Sequence, residues 1–361
     1  MKLRTLALFC AITLFATLGI TVQTFAQNTQ DQFITFDAAA NATTTPRSIN
    51  PSGVITGYSI YYSGGSQVVP GFVRAADGTI TTFDAAPNAS TVPLSINPSG
   101  LITGYYANAS PGYRGFVRAA DGTITTFDVL GAGTTPGSGG TLPQSINPGG
   151  VITGFYDDAS YVAHGFVRAA DGTITTFDVP GAGTTPGTGT LPQSINPQGA
   201  ITGYYRDASV GIHGFVRTAN GTITTFDVPG AGISPPSLGT SPQSINPSGV
   251  ITGFYQDASF ELHGFVRAAD GTITTFDVPG AGTTPGTGTV PQSINPSGVI
   301  TGYHGDASFG NHGFVRAADG TITTFDVGPG RTLPLSINPS GVITGFYQDA
   351  SGVLHGFVRE P

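Results

Sequence analysis

The chain has 361 residues, among them 54 glycines, 27 prolines, one cysteine and no tryptophan, and its formal net charge at pH 7 is −8. A chain this acidic, whose one lysine is Lys2, does not present the basic surface that binds nucleic acid or an anionic membrane. Beyond its N-terminal region, no stretch approaches the roughly 20 apolar residues of a membrane-spanning helix, so we expect no membrane span.

The N-terminal region has the pattern of an export signal. Two basic residues precede a mostly apolar run over 6–20, which is followed by a small-x-Ala pattern that ends at Ala26. We therefore predict a signal peptide over 1–26, a short linker over 27–32, and a secreted or periplasmic protein. Cys10 leaves with the signal, so the mature chain can contain neither disulfides nor a cysteine-based zinc site.

The remainder, 33–361, is one repeat array that we interpret as a single domain. The triplet S-I-N begins seven times, at Ser48, Ser95, Ser145, Ser194, Ser244, Ser293 and Ser336. G-F-V-R and T-F-D also occur seven times each, but T-F-D first appears before any S-I-N, and the last G-F-V-R has no T-F-D after it. A period near 49 residues indicates one supersecondary unit repeated in a ring or an array.

Each repeat contains four short runs of β-branched and aromatic residues, in the order S-I-N, V-I-T-G-F-Y, H-G-F-V-R and T-I-T-T-F-D. The turn sequences N-P-S-G and A-A-D-G separate the first run from the second and the third from the fourth. We therefore predict an all-β fold, a seven-bladed β-propeller of four-stranded antiparallel blades. The segment 33–37 would supply the outer strand of the last blade. A right-handed β-solenoid is the competing fold; its coils are usually shorter, and it needs caps that this chain lacks.

The element I-N-P-x-G-x-I-T-G, followed by H-G-F-V-R and a T-x-F-D strand, resembles the bacterial extracellular HAF-repeat family from Phe33 to Arg359. The family unit typically contains His-Ala-Phe-Leu where this chain has His-Gly-Phe-Val-Arg, as at 164–168. The resemblance implies export and a repeat architecture, and it implies no particular activity.

Two side-chain patterns suggest how the blades are held. Glycine recurs inside the strands, in T-G-F and in H-G-F, which predicts an aromatic ring over each missing side chain. The G-F-V-R arginine and the T-F-D aspartate of one blade end antiparallel strands at opposite faces, so they are not partners. We expect each arginine to bond its A-A-D-G turn or the neighbouring blade.

A meander of this order places the variable loops together on one face, where we expect binding. Four connections between blades are long, 129–144, 179–193, 228–243 and 278–292, and three are short, 327–335, 38–47 and 85–94. The loop-rich face should therefore have a high wall on one side and a low gap on the other. The longer hairpin 58–70 lies in the low sector and contains Tyr58, Tyr61 and Tyr62, which we predict at the mouth of a side-opening groove.

Five blades contain D-A-S with a histidine six residues after the aspartate. The pairs are Asp158/His164, Asp207/His213, Asp257/His263, Asp306/His312 and Asp349/His355. The first two blades have Pro70 and Arg114 at the histidine position. Each histidine should lie across from the T-F-D aspartate, for example His164 near Asp178. These residues could bind a metal ion or transfer a proton. They could equally be structural, because Asp and Ser side chains close a hairpin and a His-Asp pair stabilises a blade edge. The presence of five equivalent copies favours the structural role.

Two functions remain from the sequence. The first is a secreted, non-enzymatic β-propeller scaffold that binds a glycan or a protein on its loop-rich face, using the tyrosines and the Asp/His pairs. It would act as a monomer, without cofactor or metal, and without nucleic acid as partner. The alternative is an extracellular polysaccharide lyase or hydrolase that uses His and Asp on that face. A single histidine set apart in a deep pocket would favour the enzyme.

Overall fold

The computed structural model describes residues 33–108, 112–134, 139–232 and 239–361, and all of its regular secondary structure is β. The expected signal peptide 1–26 and linker 27–32 lie outside the described residues. Among the residues described, no helix has the length and hydropathy needed to cross a membrane.

The 29 strands form seven units, each a four-stranded antiparallel meander, and we number the units by their S-I-N triplets. Unit 1 contains β2 (Thr43–Ile49), β3 (Ile55–Ser63), β5 (Gly71–Arg74) and β6 (Ile80–Phe83), with the short β4 (Ser66–Val68) paired to the end of β3. Unit 2 contains β7 (Ser90–Ile96), β8 (Ile102–Ala107), β9 (Arg114–Arg118) and β10 (Ile124–Phe127). Unit 3 contains β11 (Thr141–Ile146), β12 (Ile152–Asp157), β13 (Ala163–Arg168) and β14 (Ile174–Phe177).

The last four units repeat this order. Unit 4 contains β15 (Gly189–Ile195), β16 (Ile201–Arg206), β17 (Ile212–Arg217) and β18 (Ile223–Phe226). Unit 5 contains β19 (Thr240–Ile245), β20 (Ile251–Gln256), β21 (Leu262–Arg267) and β22 (Ile273–Phe276). Unit 6 contains β23 (Gly288–Ile294), β24 (Ile300–Gly305), β25 (Asn311–Arg316) and β26 (Ile322–Phe325). Unit 7 contains β27 (Thr332–Ile337), β28 (Ile343–Gln348) and β29 (Leu354–Arg359).

The fourth strand of unit 7 comes from the other end of the chain. Strand β1 (Phe33–Phe36) pairs antiparallel with β29, and Phe33 lies opposite Arg359. The position of the first T-F-D, ahead of any S-I-N, predicted this pairing. Both ends of the described chain are therefore held by ladder hydrogen bonds.

The repeated turns adopt the conformations that their sequences require. In unit 1 the amide of Gly53 donates to the carbonyl of Asn50, Gly53 has φ of 80°, and the Asn50 side chain accepts the amides of Ser52 and Val54. In the second turn the amide of Gly78, at φ of 93°, donates to the carbonyl of Ala75. Positive φ favours glycine because it has no Cβ, which explains the recurrence of glycine at both turns.

The two kinds of strand glycine have different causes. A methyl group on Gly165, the glycine of H-G-F in unit 3, would lie 2.7 Å from Cζ of Phe177, as the sequence predicted. The same expectation is wrong for T-G-F: a methyl group on Gly154 would meet the carbonyl of Leu142 and Cα of Pro143. The reason is a register shift in the first strand, between Pro143 and Ser145, which brings its backbone against the second strand.

The hydrophobic core lies between neighbouring units. The phenylalanine of G-F-V-R and the isoleucine that opens the second strand are fully buried in every unit. Each such phenylalanine packs edge to face against the T-F-D phenylalanine of the preceding unit, as Phe215 does against Phe177 at 6.2 Å between ring centroids. The same contact joins units 7 and 1 through Phe36 and Phe72 at 6.0 Å. Each unit therefore covers the apolar face of the next.

The G-F-V-R arginine completes this contact. The Arg217 guanidinium lies 4.8 Å from the Phe177 ring centroid, and its Nη1 donates to the carbonyl of Thr218 in its own turn. Equivalent arginines lie 4.8 to 5.0 Å from the phenylalanine of the preceding unit in all seven cases. Both expected partners, the turn and the neighbouring unit, are therefore confirmed, with a cation–π contact as the second.

A series of hydrogen bonds links the first strands of successive units. The Nδ2 atom of each S-I-N asparagine donates to the carbonyl of the S-I-N asparagine in the next unit. The Nδ2 atom of the last one, Asn338, donates to the carbonyl of the first, Asn50, at 3.3 Å. The residues of the series are Asn50, Asn97, Asn147, Asn196, Asn246, Asn295 and Asn338. In the opposite sense, each S-I-N isoleucine amide donates to the serine hydroxyl of the preceding unit, and the amide of Ile49 donates to Ser336 at 3.3 Å. These contacts arrange the four-stranded units around a common centre, which is the architecture of a β-propeller.

Candidate functional site

The loops with variable sequence lie on one face, as expected. In four units the second glycine of the blade connection donates its amide to the end of the second strand, as Gly183 does to Arg206 at 2.8 Å. The N-P-x-G and A-A-D-G turns contact each other at the opposite ends of the strands, where Gly53 lies against Ala76. We call the two surfaces the loop face and the turn face.

The long connections also bind the unit before them. Gly189 forms a parallel bridge with Ala163, Gly288 with Leu262, and Gly140 with Tyr113. Parts of two long connections, 135–138 and 233–238, lie outside the described residues, so the predicted high wall stays a prediction.

The hairpin of unit 1 extends β3 beyond its counterparts. Glycines at 64 and 65, both at positive φ, close the turn between β3 and β4. Because side chains alternate along a strand, Tyr58 and Tyr62 lie on one side of β3 and Tyr61 on the other. Tyr62 is 75% exposed, whereas Tyr58 and Tyr61 are half-buried. The three tyrosines therefore do not form one continuous surface.

In units 3 to 7 the structure brings each D-A-S aspartate, its histidine and a T-F-D aspartate together. Nδ1 of His164 lies 3.0 Å from the Asp178 carboxylate, and its Nε2 lies 3.6 Å from Oδ2 of Asp158. The ring also stacks on Tyr156 at 5.1 Å. The other four histidines, His213, His263, His312 and His355, have the same two carboxylate neighbours at 2.8 to 3.0 Å for Nδ1 and 3.3 to 3.7 Å for Nε2.

The D-A-S aspartates also close their own loops. Oδ1 of Asp158 accepts the amides of Ser160 and Val162, and Asp207, Asp257, Asp306 and Asp349 accept the equivalent amides. Hydrogen bonds from Ser351 and from the amide of Val353 lower the pKa of Asp349 to about 2. Burial lowers the pKa of His355, but the bonds to Asp37 and Asp349 outweigh it and leave the pKa raised. Each set therefore links a loop, a third strand and the end of a fourth strand, as the structural interpretation requires.

Unit 2 departs from this pattern and has a cavity at the same place. Arg114 replaces the histidine, and its Nε lies 3.6 Å from Oδ2 of the T-F-D residue Asp128. Burial raises the pKa of Asp128, and Arg114 partly offsets this shift. The cavity has a volume of about 340 Å³ and is lined by Tyr113, Arg114, Asp128 and the connection 129–134, including Leu130, which is 96% exposed.

A tyrosine cluster adjoins this cavity. The Tyr105 and Tyr113 rings meet edge to face at 4.9 Å. Burial raises the pKa of Tyr105, the nearby hydroxyls of Tyr113 and Tyr58 raise it further, and the charge of Arg47 opposes them. Tyr58, one of the predicted residues, and Arg47 therefore both lie near Tyr105 and belong to the neighbouring unit.

Sequence reasoning did not single out several residues of the loop face. Tyr113, Arg114 and Asp128 were not proposed as a ligand site, and His304 and Glu261 were not considered. His304 takes the place of the stacked tyrosine in unit 6; it is 5% exposed, and its Nδ1 has no hydrogen-bond partner. Burial lowers the pKa of His304, and His312 adds to the shift. A residue-by-residue comparison of the repeats would have found Tyr113, Arg114, Glu261 and His304, because each differs from its counterparts in the other units, whereas Asp128 is the same in all seven.

Three apolar side chains project from the D-A-S loops in unfavourable backbone conformations. Tyr161, Val210 and Phe309 have φ of 62° to 67° and are 42% to 68% exposed. Non-glycine residues rarely adopt this conformation, so the aspartate-closed turn must hold it. Two further cavities, of about 320 and 300 Å³, lie on the turn face between units 2 and 3 and between units 1 and 2.

No protein-family model and no curated protein matches this chain. Solved structures do match. A virginiamycin B lyase from Staphylococcus aureus is 15% identical with a TM-score of 0.58, covering 92% of this chain and 100% of that one. An acylaminoacyl peptidase from Pyrococcus horikoshii is 8% identical with a TM-score of 0.54, covering 88% of this chain and 51% of that one. A fucose-specific lectin from Aleuria aurantia is 13% identical with a TM-score of 0.45, covering 81% of this chain and 97% of that one. At such low identity the first two similarities concern the fold alone.

Proposed function

We propose that this chain is an exported, non-enzymatic, seven-bladed β-propeller whose loop face binds a glycan at unit 2. The seven units would be the seven blades, closed by the pairing of β1 with β29 and by the asparagine and serine hydrogen bonds that join units 7 and 1. The expected signal peptide and the resemblance to HAF repeats support export.

The observation that carries the glycan proposal is the cavity at Tyr113, Arg114 and Asp128. Its volume of about 340 Å³ is at the lower end for small-molecule sites, which suits one or two sugar rings. An aromatic side chain offers an apolar face with a polar hydroxyl, a combination that matches the apolar and polar sides of a pyranose. Tyr113, 40% exposed at the cavity, meets this need in a chain without tryptophan.

The charged pair supplies the polar contacts. Arg114 and Asp128 lie 3.6 Å apart, which is longer than a hydrogen bond, and their side chains are 37% and 53% exposed. A sugar hydroxyl can donate to the carboxylate and accept from the guanidinium without breaking a short ion pair. In units 3 to 7 the equivalent aspartate holds a histidine at 3.0 Å or less, and that carboxylate is already engaged.

The test gives unit 2 the two residues that unit 3 has at the positions of Tyr113 and Arg114. The double variant Tyr113→Ala/Arg114→His introduces the residues of Ala163 and His164, a pair that the fold already accommodates. Binding is measured on a glycan array and then by calorimetry with each soluble sugar that scores. We expect the double variant to lose at least about tenfold in affinity, about 1.4 kcal/mol, with an unchanged circular dichroism spectrum.

Asp171→Asn is the matched control, because Asp171 lies in an exposed turn on the turn face. It should bind as the native chain does. Equal binding by the native chain and the double variant would place the glycan elsewhere, and an array without any bound glycan would refute the proposal.

A further inference from the structure

Unit 5 differs from the other histidine-bearing units by one carboxylate. Glu261 is one of two glutamates in the chain, and it stands where the other four units have Val162, Gly211, Gly310 and Val353. An oxygen of Glu261, an oxygen of Asp257 and a ring nitrogen of His263 all lie within 4.8 Å of one another. Within the described ranges, no other three His, Cys, Asp or Glu side chains meet this condition.

We propose that Asp257, Glu261 and His263 bind a divalent cation, for which Zn²⁺ is the best match. Metal–ligand distances of about 2.0 to 2.2 Å place two ligands of one ion no more than roughly 4.4 Å apart, so these three atoms need only small movements. The proposal is independent of the glycan site in unit 2.

The imidazole of His263 is already oriented as metal-binding histidines are. Its Nδ1 lies 3.0 and 3.1 Å from the two oxygens of Asp277, so Nδ1 carries the proton and donates it to that carboxylate. In the neutral imidazole, Nε2 then has its lone pair on the side of Asp257 and Glu261. A carboxylate on the far nitrogen is the usual outer-shell partner of a metal-bound histidine.

The distance between His263 and Asp257 supports the same interpretation. Nε2 of His263 lies 3.7 Å from Oδ2 of Asp257, too far for a hydrogen bond and the longest such distance in the five sets. In unit 7 the corresponding atoms of His355 and Asp349 are within hydrogen-bond distance, at 3.3 Å. An ion between Nε2 and Oδ2 would satisfy both atoms in unit 5.

The loop fixes the carboxylate of Asp257 and the backbone of Glu261. Oδ1 of Asp257 accepts the amides of Ser259 and Glu261, which leaves Oδ2 for a ligand. Phe260, at φ of 65°, reverses the chain between them and returns Glu261 to the side of Asp257. Two carboxylates held this close repel each other when both are ionised, and a cation would relieve this repulsion.

The donor set indicates the class of ion. Mg²⁺ and Ca²⁺ prefer oxygen ligands throughout, whereas imidazole favours Zn²⁺ and other transition metals. The three side chains are only partly buried, so water can complete the coordination. Three protein ligands with at least one open position are typical of zinc sites outside closed structural cages.

The test exchanges the distinguishing residue between two units. Glu261→Gln and Glu261→Val remove the third ligand, the second by introducing the residue of units 3 and 7. Val353→Glu adds a carboxylate to Asp349 and His355 in unit 7, where the amide of residue 353 already bonds Asp349 as that of Glu261 bonds Asp257. The purified, EDTA-stripped chains are titrated with Zn²⁺ by calorimetry and with Co²⁺ by visible absorption.

We expect one Zn²⁺ per native chain, at least tenfold weaker binding in both Glu261 variants, and two ions per chain in Val353→Glu. Asp277→Asn should weaken binding by about 10- to 100-fold, as loss of an outer-shell partner does. Uptake of about five ions per native chain, or equal uptake by the native chain and Glu261→Gln, would overturn the proposal because the Asp-His pairs alone would explain it. Tighter binding of Ca²⁺ than of Zn²⁺, or no binding of either at micromolar concentrations, would also overturn it.

Discussion

Replacing Gly165 with alanine tests the packing that joins one unit to the next. The added methyl group would lie 2.7 Å from Cζ and 2.9 Å from Cε1 of Phe177, about 1 Å closer than a normal carbon contact. The Phe177 ring cannot withdraw freely, because Phe215 packs against it edge to face and Arg217 lies over the ring. We expect Gly165→Ala to lower the free energy of unfolding by about 1 to 3 kcal/mol, as overpacking does.

Phe177→Ala provides the matching background, since it removes the ring that the methyl group would contact. In that background Gly165→Ala should be neutral or stabilising by up to about 1 kcal/mol, because alanine restricts the unfolded chain more than glycine does. The difference between the two effects is a coupling energy of about 1 to 4 kcal/mol in a double-mutant cycle measured by urea unfolding. An equal cost of Gly165→Ala with and without the Phe177 ring would refute the steric explanation for the glycine.

Three further predictions concern closure, pH and cation–π contacts. A chain that begins at residue 38 should be about 3 to 5 kcal/mol less stable than one that begins at residue 33, because it lacks Phe33, Phe36 and their contacts. The protection of β29 amides from hydrogen exchange should also fall, since β29 loses its partner strand. Unchanged protection would contradict the closing role of β1. The pKa of His304 is lowered in the fold, so the native chain loses stability as the pH falls below about 6.5. The stability that His304→Tyr gains over the native chain in urea unfolding should therefore be larger at pH 5 than at pH 7.5. A difference that does not depend on pH would contradict this. Arg267→Lys should lower the free energy of unfolding by about 0.5 to 1 kcal/mol, because the guanidinium contact with the Phe226 ring is lost. Arg331→Lys is the control: Arg331 is exposed and bonds Gln348, and its replacement should lower the free energy of unfolding by less.

The sequence was sufficient to predict the repeated part of the fold. The S-I-N, T-G-F, G-F-V-R and T-F-D runs predicted four antiparallel strands, and the early T-F-D predicted the pairing of β1 with β29. The His-Asp contact could also be predicted, since antiparallel strands bring His164 and Asp178 together at a known spacing. Such features depend on local strand geometry, which the residue pattern reveals.

Two other features could not be predicted in the same way. The sequence gives no sign that the first strand shifts register before Ser145, so the cause of the glycine in T-G-F was mistaken. The cavity at Tyr113 and Arg114 arises where two departures from the repeat meet the connection that follows Asp128 of the same unit. Neither residue suggests a ligand site by itself, because the cavity exists only where the connection 129–134 folds beside both of them.

The hydrogen bonds between successive S-I-N strands have a consequence for how such an array can grow. Each unit donates through its asparagine to one neighbour and through its isoleucine amide to the other, so its leading and trailing edges fit each other. A duplicated unit therefore meets compatible edges on both sides without any new interface. Gene duplication can then multiply the framework while single copies diverge at the loops, and Arg114 in one copy and Glu261 in another are examples of such divergence.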